Sequence, residues 1–164
     1  MKEVKIFTDG AARGNPNGPG GYGAILEYTD RAGRLHKKEI SKGYVRTTNN
    51  RMEIMAAIAG LEELNQPCSV TLYSDSRYLV DTFEKGWIEN WQKKNWKTAG
   101  GKEVKNIDLW KRLPSAMETH DVRFVWVKGH DGDEHNERCD ALATGAADGD
   151  TLETDEGFNE KEDL

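Results

Sequence analysis

Two apolar segments of this chain each end on an aspartate, and that pattern limits the folds open to it. Residues 4–8 lead into Asp9, and residues 70–74 lead into Asp75. Both segments have the composition of strands, and ligands of open mixed sheets bind beyond the carboxyl ends of strands. If the two strands are parallel neighbours, the two carboxylates meet at one edge of the sheet.

Two further carboxylates lie where a charge is not expected. Glu53 lies within the apolar helical segment 52–64, and Asp140 follows Cys139 among small apolar residues. Burying an unpaired carboxylate costs several kcal/mol, so such groups become protonated, pair with a base or bind a metal. Few basic residues adjoin any of the four acids in sequence. If the fold brings them together, the simplest account is a site for Mg²⁺ or Mn²⁺, and therefore phosphate chemistry.

Each of the four acids also has an ordinary structural interpretation. The helix dipole favours an acid such as Glu53 near a helix start, and Asp75 is typical of a helix cap. Asp9 before a glycine is typical of a turn, and Asp140 fits an exposed helix surface. Because all four fall at element ends or on buried faces, four independent structural roles are less plausible than one shared site.

The order of the predicted elements favours an α/β fold. Three strands come first, and helices then alternate with two more strands, which predicts a five-stranded mixed sheet with helices on both faces. Apolar patterns, turn residues and capping residues place strands at 3–9, 22–29, 34–44, 69–74 and 122–127, and helices at about 49–64, 78–83, 86–96, 104–118 and 134–147.

The negative charge of the chain is concentrated at one end. Residues 148–164 carry eight acidic residues and one lysine, so the formal net charge of −6 leaves +1 for residues 1–147. An acidic tail with few apolar residues is expected to be disordered. A solubilising end is the simpler interpretation, and a nucleic-acid mimic or a docking peptide for an unknown partner is the alternative.

The length and composition predict a single-domain soluble protein. A chain of 164 residues suits one domain. No run approaches the length of a membrane span, and the amino terminus lacks a signal-peptide pattern, so we expect a cytoplasmic protein without membrane contact. The two cysteines lack metal-ligand spacing and are expected to be reduced. No heptad pattern demands a partner, so a monomer is expected.

Residues 85–105 have the composition of a nucleic-acid-binding surface. They contain six lysines against two glutamates, and three of the five tryptophans of the chain. Lysines bind phosphates, and flat aromatic rings stack on sugars or bases. The alternative is an amphipathic helix whose tryptophans belong to the core and whose lysines are solvated.

Five motifs, in this order, resemble the type 1 ribonuclease H family, nearest to its bacterial ribonuclease HI form. They cover the chain from about residue 3 to residue 147 and leave only the acidic tail outside. The motifs are the segments 8–11 with the glycine-rich loop that follows, 48–53, 74–76, 126–130 and 136–140. The glycine-rich loop, residues 14–19, is one residue longer than is common in bacterial members, which leaves the details of substrate contact open.

The resemblance implies a ribonuclease H fold with sheet order 3-2-1-4-5 and a catalytic domain over residues 1–147. It implies an endonuclease that cuts the RNA strand of RNA–DNA hybrids, leaving a 5′-phosphate and a 3′-hydroxyl. RNA primers and R-loops are the natural substrates it suggests. Asp9, Glu53, Asp75 and Asp140 match the catalytic carboxylates that hold two Mg²⁺ ions, with Mn²⁺ as a substitute. His130 matches the histidine that assists proton transfer and product release.

The resemblance also implies a set of residues that bind the hybrid. Residues that tell RNA from DNA must contact 2′-hydroxyl groups, and the basic segment at about 85–105 matches the protrusion that grips the DNA strand. The remaining histidines, at 36, 120 and 135, are predicted to lie on the surface. The implied substrate-binding residues are Asn15, Thr48, Asn49, Asn50, Arg77, Trp87, Trp91, Lys93, Lys94, Trp96 and Lys97.

Two other functions remain open on the residues alone. A resolvase or integrase would use the same carboxylate architecture on DNA and would not need 2′-hydroxyl readers. A hybrid-binding module without catalysis would fit a site that lacked a carboxylate, but none of the four is missing. Cleavage of an all-DNA duplex would favour the first alternative, and hybrid binding without cleavage the second.

Overall fold

A computed structural model describes residues 1–14, 18–129 and 133–158. Within these ranges six strands and five helices follow one another along the chain. The strands are β1 (Lys2–Ala12), β2 (Gly20–Thr29), β3 (Leu35–Tyr44), β4 (Cys68–Ser74), β5 (Asp121–Trp126) and β6 (Leu152–Glu153), and the helices are α1 (Asn49–Glu62), α2 (Arg77–Glu84), α3 (Trp87–Lys93), α4 (Ile107–Met117) and α5 (Glu134–Ala147).

The strands form one mixed sheet in the order β5-β4-β1-β2-β3-β6. β1 pairs antiparallel with β2 and parallel with β4, β2 pairs antiparallel with β3, and β5 is parallel to β4. The predicted order 3-2-1-4-5 is therefore confirmed, and the sheet gains one strand. β6 is a two-residue strand parallel to the end of β3, too short for any alternating apolar pattern to reveal it.

Helices cover both faces of the sheet, as predicted. Ten of the fourteen residues of α1 are buried, which is the pattern of a helix enclosed on all sides. α1 contacts β1 and β2 on one side and α4 on the other. α5 packs on the opposite face, where glycines of the strands allow close approach: a Cβ atom at Gly23 would lie 2.6 Å from the carbonyl oxygen of Cys139. Both cysteines are buried free thiols.

The predicted helix over 86–96 is shorter in the structure. α3 ends at Lys93, because Asn95 and Trp96 adopt positive φ angles of 55° and 60° and turn the chain back. An isolated antiparallel bridge then joins Lys97 to Glu103. Residues 85–105 thus form a short helix and a turn. None of the helices within the described ranges is long and apolar enough to cross a membrane.

The expectation of a disordered tail over 148–164 is wrong for residues 148–158. Leu152 and Glu153 pair with the end of β3, and Asp155 is buried. The physical reason is that arginines of residues 1–147 form ion pairs with acids of this segment. From composition alone, these acids were expected to be solvated. Residues 159–164 lie outside the described residues.

Two histidines predicted at the surface are partly buried. The ring of His135 stacks on Phe7 with 3.8 Å between ring centres, and its Nε2 lies 2.9 Å from a carboxylate oxygen of Glu27. His120 Nδ1 accepts a hydrogen bond from the backbone N–H of Cys68. Both contacts bridge residues distant in sequence, so no local pattern signals them.

Candidate active site

The ends of β1 and β4 bring Asp9 and Asp75 together. The two strands are parallel, with Phe7 paired to Tyr73, so the aspartates two residues further on lie level with each other. α1 supplies Glu53 to the same place. One carboxylate oxygen from each of the three lies within 4.8 Å of the others.

A glycine allows the helix to reach this position. A Cβ atom at Gly10 would lie 2.5 Å from the backbone nitrogen of Glu53 and 2.5 Å from the carbonyl carbon of Met52. No real Cβ atom tolerates such contacts, so only glycine lets the first turns of α1 lie against the end of β1. The hydroxyl of Thr48 caps this helix by accepting from the N–H of Arg51 at 3.1 Å.

The three carboxylates repel one another in a poorly hydrated setting. Asp9 and Glu53 are 4% and 5% exposed. Burial, and then the charge of Asp75, raise the pKa of Asp9 to about 7, against an ordinary value of 3.8. Burial, and then the charges of Asp9 and Asp75, raise the pKa of Glu53 well above its ordinary value. Near neutral pH the group therefore holds at least one proton unless a cation replaces it.

One atom of the group is left without a partner. Glu53 Oε1 is buried and has no hydrogen bond to any residue that the structure describes, whereas Asp9 Oδ1 accepts from the N–H of Gly10 at 2.9 Å. A buried carboxylate oxygen without a donor is costly unless a ligand contacts it. Three clustered, hard, anionic oxygen donors are the ligands preferred by Mg²⁺ and similar cations, so the residues fit a divalent metal.

The fourth predicted carboxylate, Asp140, stands apart from the other three. It is half-buried on α5 and does not belong to the group within 4.8 Å. Its charge nevertheless contributes to the raised pKa of Asp9, which places it beside the same site. The neighbouring Cys139 fixes α5 against β1, because its thiol donates to the carbonyl oxygen of Phe7 at 3.3 Å.

The predicted RNA-reading residues lie at the first turn of α1. Thr48 is buried as the cap, Asn49 is half-buried and Asn50 is exposed. Asn15 and His130, which were predicted to contact substrate and to transfer protons, lie outside the described residues.

Arg77 is connected to the acidic group through Trp126. Its guanidinium carbon lies 3.8 Å from the centre of the Trp126 ring, and its side chain is 61% exposed. Trp126 in turn donates from Nε1 to the carbonyl oxygen of Asp75 at 3.1 Å. Trp126 thus links the exposed arginine to Asp75 of the carboxylate group. The sequence prediction gave this tryptophan no separate role, because the contact with residue 75 joins segments 51 positions apart.

The basic segment has exposed lysines, as a binding surface requires, and tryptophans that pack toward the core, as an amphipathic helix would have. Trp87, Trp91 and Trp96 are half-buried. The ring of Trp91 lies 6.4 Å from each of the other two and 6.0 Å from the buried ring of Trp110, so it joins the segment to the core. The lysines at 93, 94 and 97 are exposed. The tryptophans are therefore the packed base of a surface that presents lysines to solvent.

Comparison with known proteins places the chain among nucleases. Residues 1–148 match the family described as RNase H. A ribonuclease H of Lachnoclostridium phytofermentans is 62% identical over 153 residues, covering 93% of this chain and 97% of the relative. A ribonuclease H of Salmonella arizonae is 56% identical over 158 residues, covering 96% and 97%. Among solved structures, a type 1 RNase H with the type 2 active-site motif superposes with a TM-score of 0.83 at 31% identity, covering 92% of this chain and 74% of that one.

Proposed function

The chain belongs to the ribonuclease H family, and from this premise we propose that Asp9, Glu53, Asp75 and Asp140 form its catalytic site. The enzyme is a metal-dependent endoribonuclease that cleaves the RNA strand of RNA–DNA hybrids. The observation that carries the assignment of the site is the group of three carboxylates, of which Asp9 and Glu53 are buried and Asp75 is half-buried, with the unpartnered Glu53 Oε1. Holding these clustered carboxylates together without a cation would cost free energy, so a bound cation is the best explanation of the group.

We propose that the four carboxylates hold two Mg²⁺ ions, with Mn²⁺ as a substitute. Asp9 and Asp140 would hold one ion, and Asp9, Glu53 and Asp75 the other. When bound, such ions lower the pKa of the attacking water and stabilise the leaving 3′ oxygen of a phosphodiester. The products would be a 5′-phosphate and a 3′-hydroxyl, without a covalent intermediate on the protein.

The protein residues orient these ligands and move protons. Gly10 lets the backbone of α1 lie against β1 and so sets the position of Glu53. Burial of Asp9 excludes water from one side of the group and strengthens its interaction with a cation. The proposed role of His130 is to accept and return a proton near neutral pH, for which an imidazole is suited.

Substrate discrimination is proposed to reside at the first turn of α1. Thr48, Asn49 and Asn50 offer hydroxyl and amide groups beside the metal-binding carboxylates, where they would contact 2′-hydroxyl groups of the RNA strand, together with Asn15. A helix start also favours phosphate. Arg77, held over Trp126, would contact the RNA backbone.

The basic segment is proposed to bind the DNA strand. Its exposed lysines, at 93, 94 and 97, would contact phosphates, and the free edges of the half-buried tryptophans at 87, 91 and 96 would pack on sugars. We further propose a monomeric cytoplasmic enzyme that removes RNA primers and R-loops. Gel filtration with light scattering tests the first point, and a dimer mass would contradict it.

A cleavage assay tests the proposal directly. The protein is incubated with end-labelled RNA–DNA hybrid, single-stranded RNA, RNA duplex and DNA duplex, in Mg²⁺ and in EDTA. We expect cutting of the RNA strand of the hybrid alone, only with Mg²⁺, lost in Asp9→Asn and retained in Asp150→Asn, an exposed aspartate of the C-terminal segment. Cutting of the DNA duplex would move the assignment to another nuclease on this fold, and binding without cutting would make the protein a hybrid-binding module.

A further inference from the structure

A buried acid of the C-terminal segment lies at the centre of a hydrogen-bonded network. Asp155 is 7% exposed. Its Oδ2 accepts from the hydroxyl of Thr47 at 2.7 Å and from Nε of Arg51 at 2.7 Å, and its Oδ1 accepts from Nη2 of Arg51 at 3.0 Å. Arg51 is fully buried and also donates to both oxygens of Asp108, at 2.8 and 2.7 Å.

This network is stable only when it is complete. Burial alone would lower the pKa of the Arg51 guanidinium, but hydrogen bonds to Asp108 and Asp155 raise it above its ordinary value. Removing one carboxylate would leave a buried guanidinium only partly compensated, which is strongly destabilising locally. Asp108 is partly exposed at the surface, so the fully desolvated partner of Arg51 is Asp155.

The two donors to Asp155 stand on either side of the proposed RNA-reading turn. Thr47 immediately precedes residues 48–50, and Arg51 immediately follows them. Asp155 is therefore the shared acceptor that fixes both ends of this three-residue turn. Glu53, the proposed metal ligand, follows two residues later on the same buried helix.

The same network reaches two other segments of the chain. The backbone N–H of Thr47 donates to the carbonyl oxygen of Gly18 at 3.1 Å, and a Cβ atom at Gly20 would lie 2.5 Å from Thr47 Cγ2, so Thr47 contacts the end of the glycine-rich loop. Asp108 lies in the first turn of α4, the helix that follows the basic segment 85–105. The network thus joins the end of the glycine-rich loop, the start of α1 and the start of α4.

Further contacts hold the C-terminal segment in place. The backbone N–H of Val45 donates to the carbonyl oxygen of Glu153 at 2.9 Å, next to the pairing of β6 with β3. At the other end, the guanidinium of Arg13, beside the glycine-rich loop, donates to both oxygens of Asp148 at 3.0 and 2.8 Å. Residues 148–158 therefore contact Arg13, the end of β3 and the start of α1, and we name them the brace.

We infer that the brace is a positioning element of the enzyme and that Asp155 is its positioning residue, which holds residues 48–50 ready for the RNA strand. This inference rests on the proposed function of these residues. Asp155 does not touch substrate in this scheme. It acts through Thr47 and Arg51, whose side chains it immobilises.

The test compares Asp155→Asn with Glu153→Gln. Asparagine keeps the shape of Asp155 and removes its charge. Glu153 belongs to the same brace, but its side chain is exposed and forms a surface ion pair with Lys42. In Asp155→Asn we expect the KM for the hybrid and its Kd in EDTA to rise about tenfold, with kcat changing by less than about threefold, because misplaced binding groups weaken binding more than chemistry. Glu153→Gln should change the KM, the Kd and kcat by less than about twofold.

Amide hydrogen exchange separates positioning from general loss of stability. The amides of Thr47 and Arg51 should exchange about tenfold faster in Asp155→Asn than the global loss of stability accounts for, while that of Leu72 in β4 should follow global stability alone. If the exchange rates of all three amides follow global stability, the inference is wrong. It is also wrong if Glu153→Gln changes exchange and affinity as much as Asp155→Asn does. A wild-type protein that does not bind hybrid would overturn the proposed function, and the exchange data would still decide the role of Asp155.

A second variant keeps the test valid if Asp155→Asn does not fold. Thr47→Val preserves the ion pair of Asp155 with Arg51 and removes only the hydroxyl that donates to Asp155. It is expected to raise the Kd for the hybrid by a smaller factor, about threefold, with faster exchange at residue 47. Unchanged affinity and unchanged exchange in Thr47→Val would contradict the inference.

Discussion

The raised pKa of Asp9 predicts that removing this acid stabilises the metal-free protein. The folded-state pKa of about 7 lies above the ordinary value of 3.8, so between these two values the native state binds more protons than the unfolded state. Its stability therefore falls as pH rises through that window, and the full penalty is present above about pH 7. Asp9→Asn is expected to remove the penalty and to abolish cleavage.

The size of the gain follows from the pKa difference. Each pKa unit corresponds to about 1.4 kcal/mol, so the rise to about 7 corresponds to at most roughly 4 kcal/mol. Asp75 raises the pKa of both Asp9 and Glu53, whereas the hydrogen bond with Glu53 lowers the pKa of Asp9. Asparagine at position 9 relieves the repulsion but replaces this charged hydrogen bond with a weaker one. We therefore expect Asp9→Asn to gain about 2 kcal/mol, or about 4–8 °C in Tm for a chain of this size.

Thermal unfolding in EDTA at about pH 8 and about pH 4 checks this prediction. The gain should be present at the higher pH and absent at the lower, where the wild-type carboxyl is protonated. Saturating Mg²⁺ should reduce the difference in Tm between Asp9→Asn and the wild type, because the ion stabilises the wild type, which keeps all its proposed ligands. Asp150→Asn, at an exposed position, is the matched control and should change Tm little. A lower Tm for Asp9→Asn in EDTA at about pH 8 would refute the reasoning.

Three further predictions concern the same elements. Gly10→Ala is expected to lower the free energy of unfolding, measured in urea, by about 1–3 kcal/mol, because its methyl would overlap the backbone of α1. The control is Gly145→Ala inside α5, where a Cβ atom meets open space; it should raise the free energy of unfolding by roughly 0.5–1 kcal/mol. Lys94→Ala and Lys97→Ala should each reduce the slope of log Kd for hybrid against log salt by about one, and an unchanged slope would mean that neither contacts phosphate. The calorimetric affinity for Mg²⁺ should rise up to about tenfold per pH unit between about pH 5 and 7, because Asp9 must lose its proton; a flat profile would contradict its role as a ligand.

The strands and the acidic residues at their ends could be predicted because local patterns determine them. Apolar segments ending in Asp9 and Asp75 predicted two strands, and the family resemblance supplied the sheet order that makes them parallel neighbours with both carboxylates at one edge. The apolar character of α1 predicted its burial, and Glu53 within it predicted a buried charge. The element predictions use spacings or compositions visible within about fifteen residues, whereas the pairing of β1 with β4, such as Phe7 with Tyr73, is not local.

The remaining site could not be predicted because its contacts are distant in sequence. Trp126 supports Arg77 and Asp75 across 49 and 51 positions, and no spacing rule links them. The turn after α3 depends on positive φ angles at Asn95 and Trp96, which neither residue type requires. Such features arise from tertiary packing that overrides local preference.

The C-terminal segment shows where counting charges along the chain misleads. Its eight acids predicted a solvated tail, but Asp148, Glu153 and Asp155 pair with Arg13, Lys42 and Arg51 of the domain. Composition sums the charge of a segment and takes no account of which partners lie within reach.

Among the side-chain ion pairs of this segment, the buried one is expected to contribute most to its order. Two exposed ion pairs contribute little to ordering a chain end, whereas the pair of Asp155 with the fully buried Arg51 cannot open without leaving a desolvated charge. The same arginine stands one residue after the proposed RNA-reading turn. The acidic segment and the proposed RNA-reading turn thus share the hydrogen bonds of Asp155, so a change that disorders one is expected to disorder the other.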